Sequence, residues 1–151
     1  MATISTQQGL SKAKAAALTV LVNACRFLLG ATFVFSGFVK AIDPIGTQYK
    51  LQDYISAVGM GGIVPDIVTL LASVALSALE FSLGVFVLFA IRRHLVSKIL
   101  VAFMAVMTLI TVWIALFNPV KDCGCFGEAL RLTNVQTLLK NIVLLAASVV
   151  V

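Results

Sequence analysis

Charged residues are scarce in this 151-residue chain. Lysine, arginine, aspartate and glutamate together make up 11% of it, whereas a soluble domain carries about 25%. Hydrophobic residues make up 61% of the chain and the mean hydropathy is +1.11. A soluble domain of this size could not bury so much apolar surface. The composition therefore excludes an ordinary soluble domain and indicates a membrane protein.

Strict alternation of apolar and polar residues is also missing, which argues against membrane-spanning strands. Instead, four long apolar runs each supply the ~20 residues that a membrane-spanning helix needs. They cover residues 16–39, 66–91, 95–117 and 133 to the end. The sequence thus predicts an all-α fold, a four-helix membrane bundle that forms one domain over residues 1–151. The last run ends in AASVVV without a polar tail, a pattern consistent with a chain that continues beyond residue 151.

The connection after the first run contains a candidate amphipathic helix. Its apolar residues are spaced so that they form one stripe: Tyr49, Leu51, Tyr54, Ile55 and Val58. Glycines and a proline follow and return the chain to the membrane. We expect a short helix at the outer membrane interface, which either covers the bundle or only packs on it.

Basic residues are unevenly distributed between the connections, although the net charge is only +5. They are concentrated, without acidic residues, before the first run and between the second and third runs, whereas the two remaining connections mix lysine and arginine with acidic residues. By the positive-inside rule, both chain ends are predicted to be cytoplasmic and the loop of Cys123 and Cys125 to lie outside, which in a bacterium is the periplasm. The basic residues flank apolar runs, so they predict topology and not nucleic-acid binding. The compact set before the first run and between the second and third comprises Lys12, Lys14, Arg92, Arg93 and Lys98.

Cys123 and Cys125, in the segment KDCGCFGEAL, are the predicted functional pair. Gly124 between them allows a tight backbone, and disulfides persist in the periplasm. So small a ring is strained, and strained exposed disulfides exchange readily. Lys121 favours the thiolate and Asp122 opposes it. A disulfide that acts only as a structural clamp is an alternative, but a disulfide that closes so short a loop contributes little to stability. Zinc is another, but two thiolates are only half of a site, so no metal is expected.

Three ionisable residues lie beyond the first turn, well inside the apolar runs, where charges are expensive and usually have a partner. Arg26 lies ~13 Å and Glu80 ~16 Å from the inner ends of their runs. Because these depths nearly match, we predict a buried ion pair between Arg26 and Glu80, with either a structural role or a proton- or quinone-contacting one. Lys140 in the fourth run is predicted to extend outward, towards the cysteine loop.

The sequence also resembles a known family. The segments RFLLGATFVFSGFVKAIDP and DCGCFG followed by KN, together with the acid in the second run, resemble DoxX-like membrane proteins, closest to the MauE branch. The resemblance covers nearly the whole chain. It implies a four-helix bundle in the inner membrane and a role in periplasmic disulfide formation or electron transfer. A thioredoxin-like protein is the implied partner, and a quinone is the candidate cofactor.

Three functions remain open from the sequence. The first is a thiol-redox or quinone-linked oxidoreductase component that acts through Cys123 and Cys125. The second is a non-catalytic membrane scaffold or maturation partner in which the cysteines form a clamp. The third is a small-solute transporter built on Arg26 and Glu80, but the sequence lacks the internal repeats and broken helices that are typical of transporters.

Overall fold

The computed structural model describes residues 2–117 and 133–151, with side chains from Lys14 onward. These ranges contain helices and no strand, which confirms the all-α prediction. The helices are α1 (Ala2–Ile42), α2 (Pro44–Ala57), α3 (Asp66–Leu88), α4 (Arg93–Phe117) and α5 (Asn134–Val150).

Three of the described helices are long and apolar enough to cross a membrane. They are α1 from Lys14 onward, α3 and α4. Helix α5 is apolar too, but its 17 residues fall below the ~20 that a typical span needs. The predicted fourth run therefore forms a helix at the expected place, shorter than the other three.

The distribution of side chains is that of a protein surrounded by lipid. Large apolar side chains cover the outside; Phe27 and Leu109, for example, are each 70% exposed. Small polar side chains lie inside, including Thr69, Ser73 and Ser77 on α3. In a bilayer, close helix packing relies on small and polar residues, because apolar side chains gain little by leaving lipid. This arrangement supports a multi-pass membrane protein.

Helices α1 and α2 are separated by a single non-helical residue, Asp43. The Asp43 side chain accepts a hydrogen bond from the Gly46 backbone N–H at 2.9 Å, and Pro44 occupies the first position of α2. An aspartate N-cap followed by proline is a strong helix-start signal. The chain thus changes direction at Asp43 and begins a new helix at once.

Helix α2 packs along the first turns of α3. Gln48 Nε2 donates to the Asp66 carbonyl at 3.0 Å, and Gln52 Nε2 donates to the Asp66 carboxylate at 2.9 Å. Tyr49 is 62% exposed and Tyr54 is partly buried, so the predicted apolar stripe does not face α3 as a unit. The helix itself was predicted, but polar side chains hold it in place.

Glycines fix the register between α1 and α3. A Cβ added at Gly37 would lie 2.5 Å from the Phe81 nitrogen, and one at Gly84 would lie 2.6 Å from the Val34 nitrogen. A Cβ added at Gly30 would likewise collide with α3, at the side chain of Leu88. Small residues at such positions let two helix backbones approach closely. The two helices therefore run antiparallel, with residues near Gly37 level with Phe81.

The helices associate as two antiparallel pairs. Helix α1 packs mainly on α3 and α4 mainly on α5, while α3 and α4 share little contact. A tight turn joins α3 to α4, with Ala90 at φ 54° and Arg92 at φ 45°, a left-handed conformation that non-glycine residues adopt rarely. Across the two pairs, the rings of Phe33 and Phe103 meet edge to face at 5.6 Å between centroids.

The alternating helix directions give the bundle two distinct ends. One end, here called the Asp43 end, carries the last turn of α1, helix α2, the start of α3, the last turn of α4 and the start of α5. The opposite end, here called the Arg93 end, brings together Arg26, Ile91, Arg93 and Val151. The core lies between them, where Leu29, Leu83, Val87, Leu100, Met104 and Leu144 pack together.

Candidate functional site

A buried carboxylate stands at the centre of the α1–α3 pair. The Glu80 carboxylate accepts a salt bridge from the Lys40 ammonium at 2.6 Å and a hydrogen bond from the Ser36 hydroxyl at 2.7 Å. The Lys40 and Glu80 side chains are only 5% and 6% exposed. Each carboxylate oxygen thus has a donor, which is the condition under which a buried charge pair is tolerated.

The local sequence explains how this group forms. Ser36 and Lys40 are four residues apart on α1, so they share one face of the helix. Gly37, between them, brings α1 close to Ser77 and Phe81 of α3. Since helical side chains point towards the N-terminus of their helix, Lys40 reaches from near the end of α1 back to Glu80.

The predicted pair of Arg26 and Glu80 is wrong. The α1–α3 register puts Gly37 level with Phe81, and Arg26 is eleven residues before Gly37, which is ~16 Å along a helix. The sequence-based depths assumed that α3 continues to residue 91, but it ends at Leu88. Lys40 directly follows the first apolar run, so the sequence places it in the outer connection, whereas it belongs to α1 and is buried. The four-residue spacing of Ser36 and Lys40 puts them on one helix face, and this spacing is the available sequence signal for Lys40 as a partner of Glu80.

A second polar contact ties α4 to α5. Asn141 Nδ2 donates to the Thr111 hydroxyl oxygen at 2.9 Å, and that hydroxyl donates to the Met107 carbonyl at 2.6 Å. Both Asn141 and Thr111 are buried. This contact satisfies two polar side chains at membrane depth and fixes α5 against α4.

A partly open cavity of about 40 Å³ lies between the two helix pairs, at the buried carboxylate. Ser36, Lys40 and Glu80 line one side, and Lys140 and Asn141 line the other. Apolar side chains complete the wall: Phe33, Phe103, Met104, Met107 and Leu144. Lys140, predicted to extend towards the cysteine loop, therefore contributes to the same cavity as the ion pair.

The size of this cavity limits what it can hold. A water molecule needs roughly 10–15 Å³, so the cavity has room for a few. A benzene-sized ring needs about 150 Å³, several times the volume present. The residues that line the cavity thus suit water or a small polar molecule, and a quinone ring does not fit among them.

The predicted redox residues Cys123 and Cys125, with Lys121, Asp122 and Gly124, lie outside the described residues. The two described helices that flank this segment meet it at the same end of the bundle: α4 ends there and α5 begins there. Phe117 is the last residue of α4, and Thr133 is the N-cap of α5. Thr133 and Gln136 form a reciprocal capping box: the Gln136 N–H donates to the Thr133 hydroxyl at 3.3 Å, and the Thr133 N–H donates to the Gln136 side chain at 3.1 Å. The start of α5 is therefore well defined.

The other predicted residues occupy separate places. Arg26 lines a cavity at the Arg93 end, far from Glu80. Tyr49 and Tyr54 lie on α2, at the Asp43 end. Within residues 14–117 and 133–151, no three histidine, cysteine, aspartate or glutamate side chains lie together as metal ligands would. The structure thus joins Lys140 with Glu80 and separates Arg26 from both.

Comparison with known proteins gives one match at the level of a family. No curated protein sequence and no solved structure is significantly similar to the chain. Residues 18–151 match the family model of methylamine utilisation protein MauE, a range that begins within α1 and includes every later described helix and the cysteine segment. With its apolar helices and polar interior, this chain is a multi-pass membrane protein that belongs to the MauE family.

Proposed function

We propose that this protein is an inner-membrane component of thiol–disulfide exchange at the periplasmic face, with Cys123 and Cys125 as its redox pair. In the exchange, a thiolate of a thioredoxin-like partner attacks the Cys123–Cys125 disulfide and forms a mixed disulfide. The second partner thiol then resolves it. The partner is oxidised to its disulfide, and Cys123 and Cys125 take up the two electrons and two protons as a dithiol. The reverse exchange reoxidises the pair at the expense of a partner disulfide.

The observation that carries this proposal is the arrangement of the helix ends. Phe117 and Thr133, which flank the cysteine segment, lie at the Asp43 end, opposite Arg92 and Arg93. Basic residues near membrane-spanning helices favour the cytoplasm, which supports a periplasmic Asp43 end. Periplasmic conditions are oxidising, so a cysteine pair on that side can cycle through a disulfide.

Two features of the bundle support a partner-binding role for the Asp43 end. Helix α2 lies there and presents Tyr49, 62% exposed, on its outer face. We propose that α2 sits at the membrane interface, where tyrosine is favoured, and contributes to partner contact. The Thr111–Asn141 contact and the Thr133 cap hold α4 and α5 in fixed positions on either side of the cysteine segment.

No step of this proposal uses a quinone, because the cavity at Lys40 and Glu80 is several times smaller than a ring requires. Lys40 and Glu80 instead neutralise each other within the membrane. Their role in the proposal is structural: they hold α1 against α3.

The redox potential of the cysteine pair tests the proposal. The purified full chain is equilibrated in glutathione buffers of graded ratio, and the free thiols are alkylated and counted by mass. Cys123 and Cys125 are expected to titrate together as a two-electron couple, with a potential above the roughly −300 mV of structural disulfides. A Cys25→Ala variant is the control and should give the same curve. A pair that stays reduced throughout would refute exchange and leave a non-catalytic scaffold as the better assignment.

The side of the membrane is tested separately in intact spheroplasts. After reduction, a membrane-impermeant maleimide is expected to label Cys123 and Cys125 but not Cys25, which is partly buried in the bundle. Labelling of the pair only after the membrane is opened would reverse the proposed topology. A Cys125→Ala variant is then expected to trap the partner as a mixed disulfide through Cys123.

A further inference from the structure

A second cavity, of about 70 Å³, lies at the Arg93 end of the bundle. Arg26 of α1 and Arg93 of α4 are among its lining residues, as is Ser97. The rest of the wall is apolar: Val22, Phe86, Val87, Ala90, Ile91, Val96 and Val151. Two arginines from separate helices thus line one partly open, mainly apolar cavity.

Neither arginine has a paired carboxylate among the described residues. No hydrogen bond or ion pair of the described side chains reaches the guanidinium of Arg26 or Arg93. No aspartate or glutamate occurs in residues 1–42 or 81–121, the stretches that form this end in α1, α3 and α4. Arg93 is also the first residue of α4, where the helix dipole disfavours a cation. An anion that enters the cavity would therefore meet two arginines that no described side chain pairs.

We propose that this cavity binds the phosphate of an anionic phospholipid. Guanidinium groups bind phosphate through paired, charge-assisted hydrogen bonds. Two of them on separate helices that line one cavity, with the start of α4 beside them, form an anion site in which a phosphate would neutralise the arginines and the helix end. Basic pockets between membrane helices on the cytoplasmic side recognise anionic headgroups.

The apolar walls distinguish a lipid from a free phosphate ion. Phe86 and Ile91 line the cavity and are also exposed on the outside of the bundle. Acyl chains of a bound lipid can pack against such side chains, whereas a free ion gains nothing from them. The Arg93 end is also the end that the positive-inside rule assigns to the cytoplasmic leaflet.

Native mass spectrometry of the full chain in detergent tests this site, with phosphatidylglycerol titrated as the probe. We expect one molecule to bind at least tenfold more tightly than phosphatidylcholine, which carries a phosphate but no net charge. The variant Arg26→Gln/Arg93→Gln should weaken phosphatidylglycerol binding at least tenfold. The matched control, Arg92→Gln/Lys98→Gln, removes two charges from the same end but none from the cavity, and should change binding less than twofold.

Three outcomes would overturn the proposal. Equal binding of phosphatidylcholine would remove the requirement for net negative charge. Equal weakening by the control variant would mean attraction by surface charge alone. Inorganic phosphate that binds as tightly as phosphatidylglycerol, and displaces it, would assign the cavity to a free anion. If the double variant does not fold, the single Arg93→Gln variant, which changes an exposed side chain, is compared with Arg92→Gln alone.

Discussion

Replacing Lys40 should destabilise the protein, because it leaves a buried carboxylate without its counter-charge. In a Lys40→Met variant, Glu80 keeps its hydrogen bond from Ser36 but loses its counter-charge at 2.6 Å, in a site where its side chain is 6% exposed. Removal of one partner of a buried pair typically costs about 3–5 kcal/mol.

We therefore expect Lys40→Met to lower the free energy of unfolding by about 3–5 kcal/mol. This loss should be far larger than the loss caused by removing an exposed lysine.

Glu80→Gln should have a similar effect, because it leaves the Lys40 ammonium in a buried site without its carboxylate. The combined variant Lys40→Met/Glu80→Gln removes both charges, and its stability should be closer to that of the parent than that of either single variant.

Reversible unfolding in mixed detergent–dodecyl sulfate micelles, followed by circular dichroism, measures these differences. Lys98→Met removes an exposed lysine from α4 and should stay within about 0.5 kcal/mol of the parent. Single variants that cost less than about 1 kcal/mol, or a combined variant that costs as much as the two single variants together, would refute a buried ion pair between Lys40 and Glu80.

Three further changes test the packing, each by the same unfolding assay. Gly37→Ala should cost about 1–3 kcal/mol, because its Cβ would collide with the Phe81 backbone; an unchanged stability would contradict the α1–α3 register. Asn141→Ala should cost about 1–2 kcal/mol through the lost hydrogen bond to Thr111, and a Thr111→Val change in the same chain should then add little. Thr133→Ala should cost about 1 kcal/mol by removing the N-cap of α5, whereas Thr133→Ser should cost almost nothing.

The sequence predicted most of the helices because hydropathy is a local property. The apolar runs at residues 66–91 and 95–117 correspond to α3 and α4 within a few residues. The spacing of apolar residues in the first connection likewise predicted a short helix, and α2 lies there. The side of the membrane predicted from the basic residues stays a prediction.

The partner of Glu80 could not be found in the same way, because it depends on the register between two helices. That register follows from a backbone contact between Gly37 and Phe81, forty-four residues apart, and no periodicity within either helix encodes it. Lys40 added to the difficulty. A lysine at the end of an apolar run usually marks the membrane boundary, whereas here its long side chain turns back into the bundle.

The pairing of α1 with α3, and of α4 with α5, bears on how the chain is made. Because α1 and α3 both precede α4 and α5 in the chain, the first pair can assemble in the membrane while the second pair is still being translated. Lys40 and Glu80 both belong to that first pair. Their charges are thus neutralised by each other early, so that the second pair meets a partner whose most costly groups are already shielded from lipid.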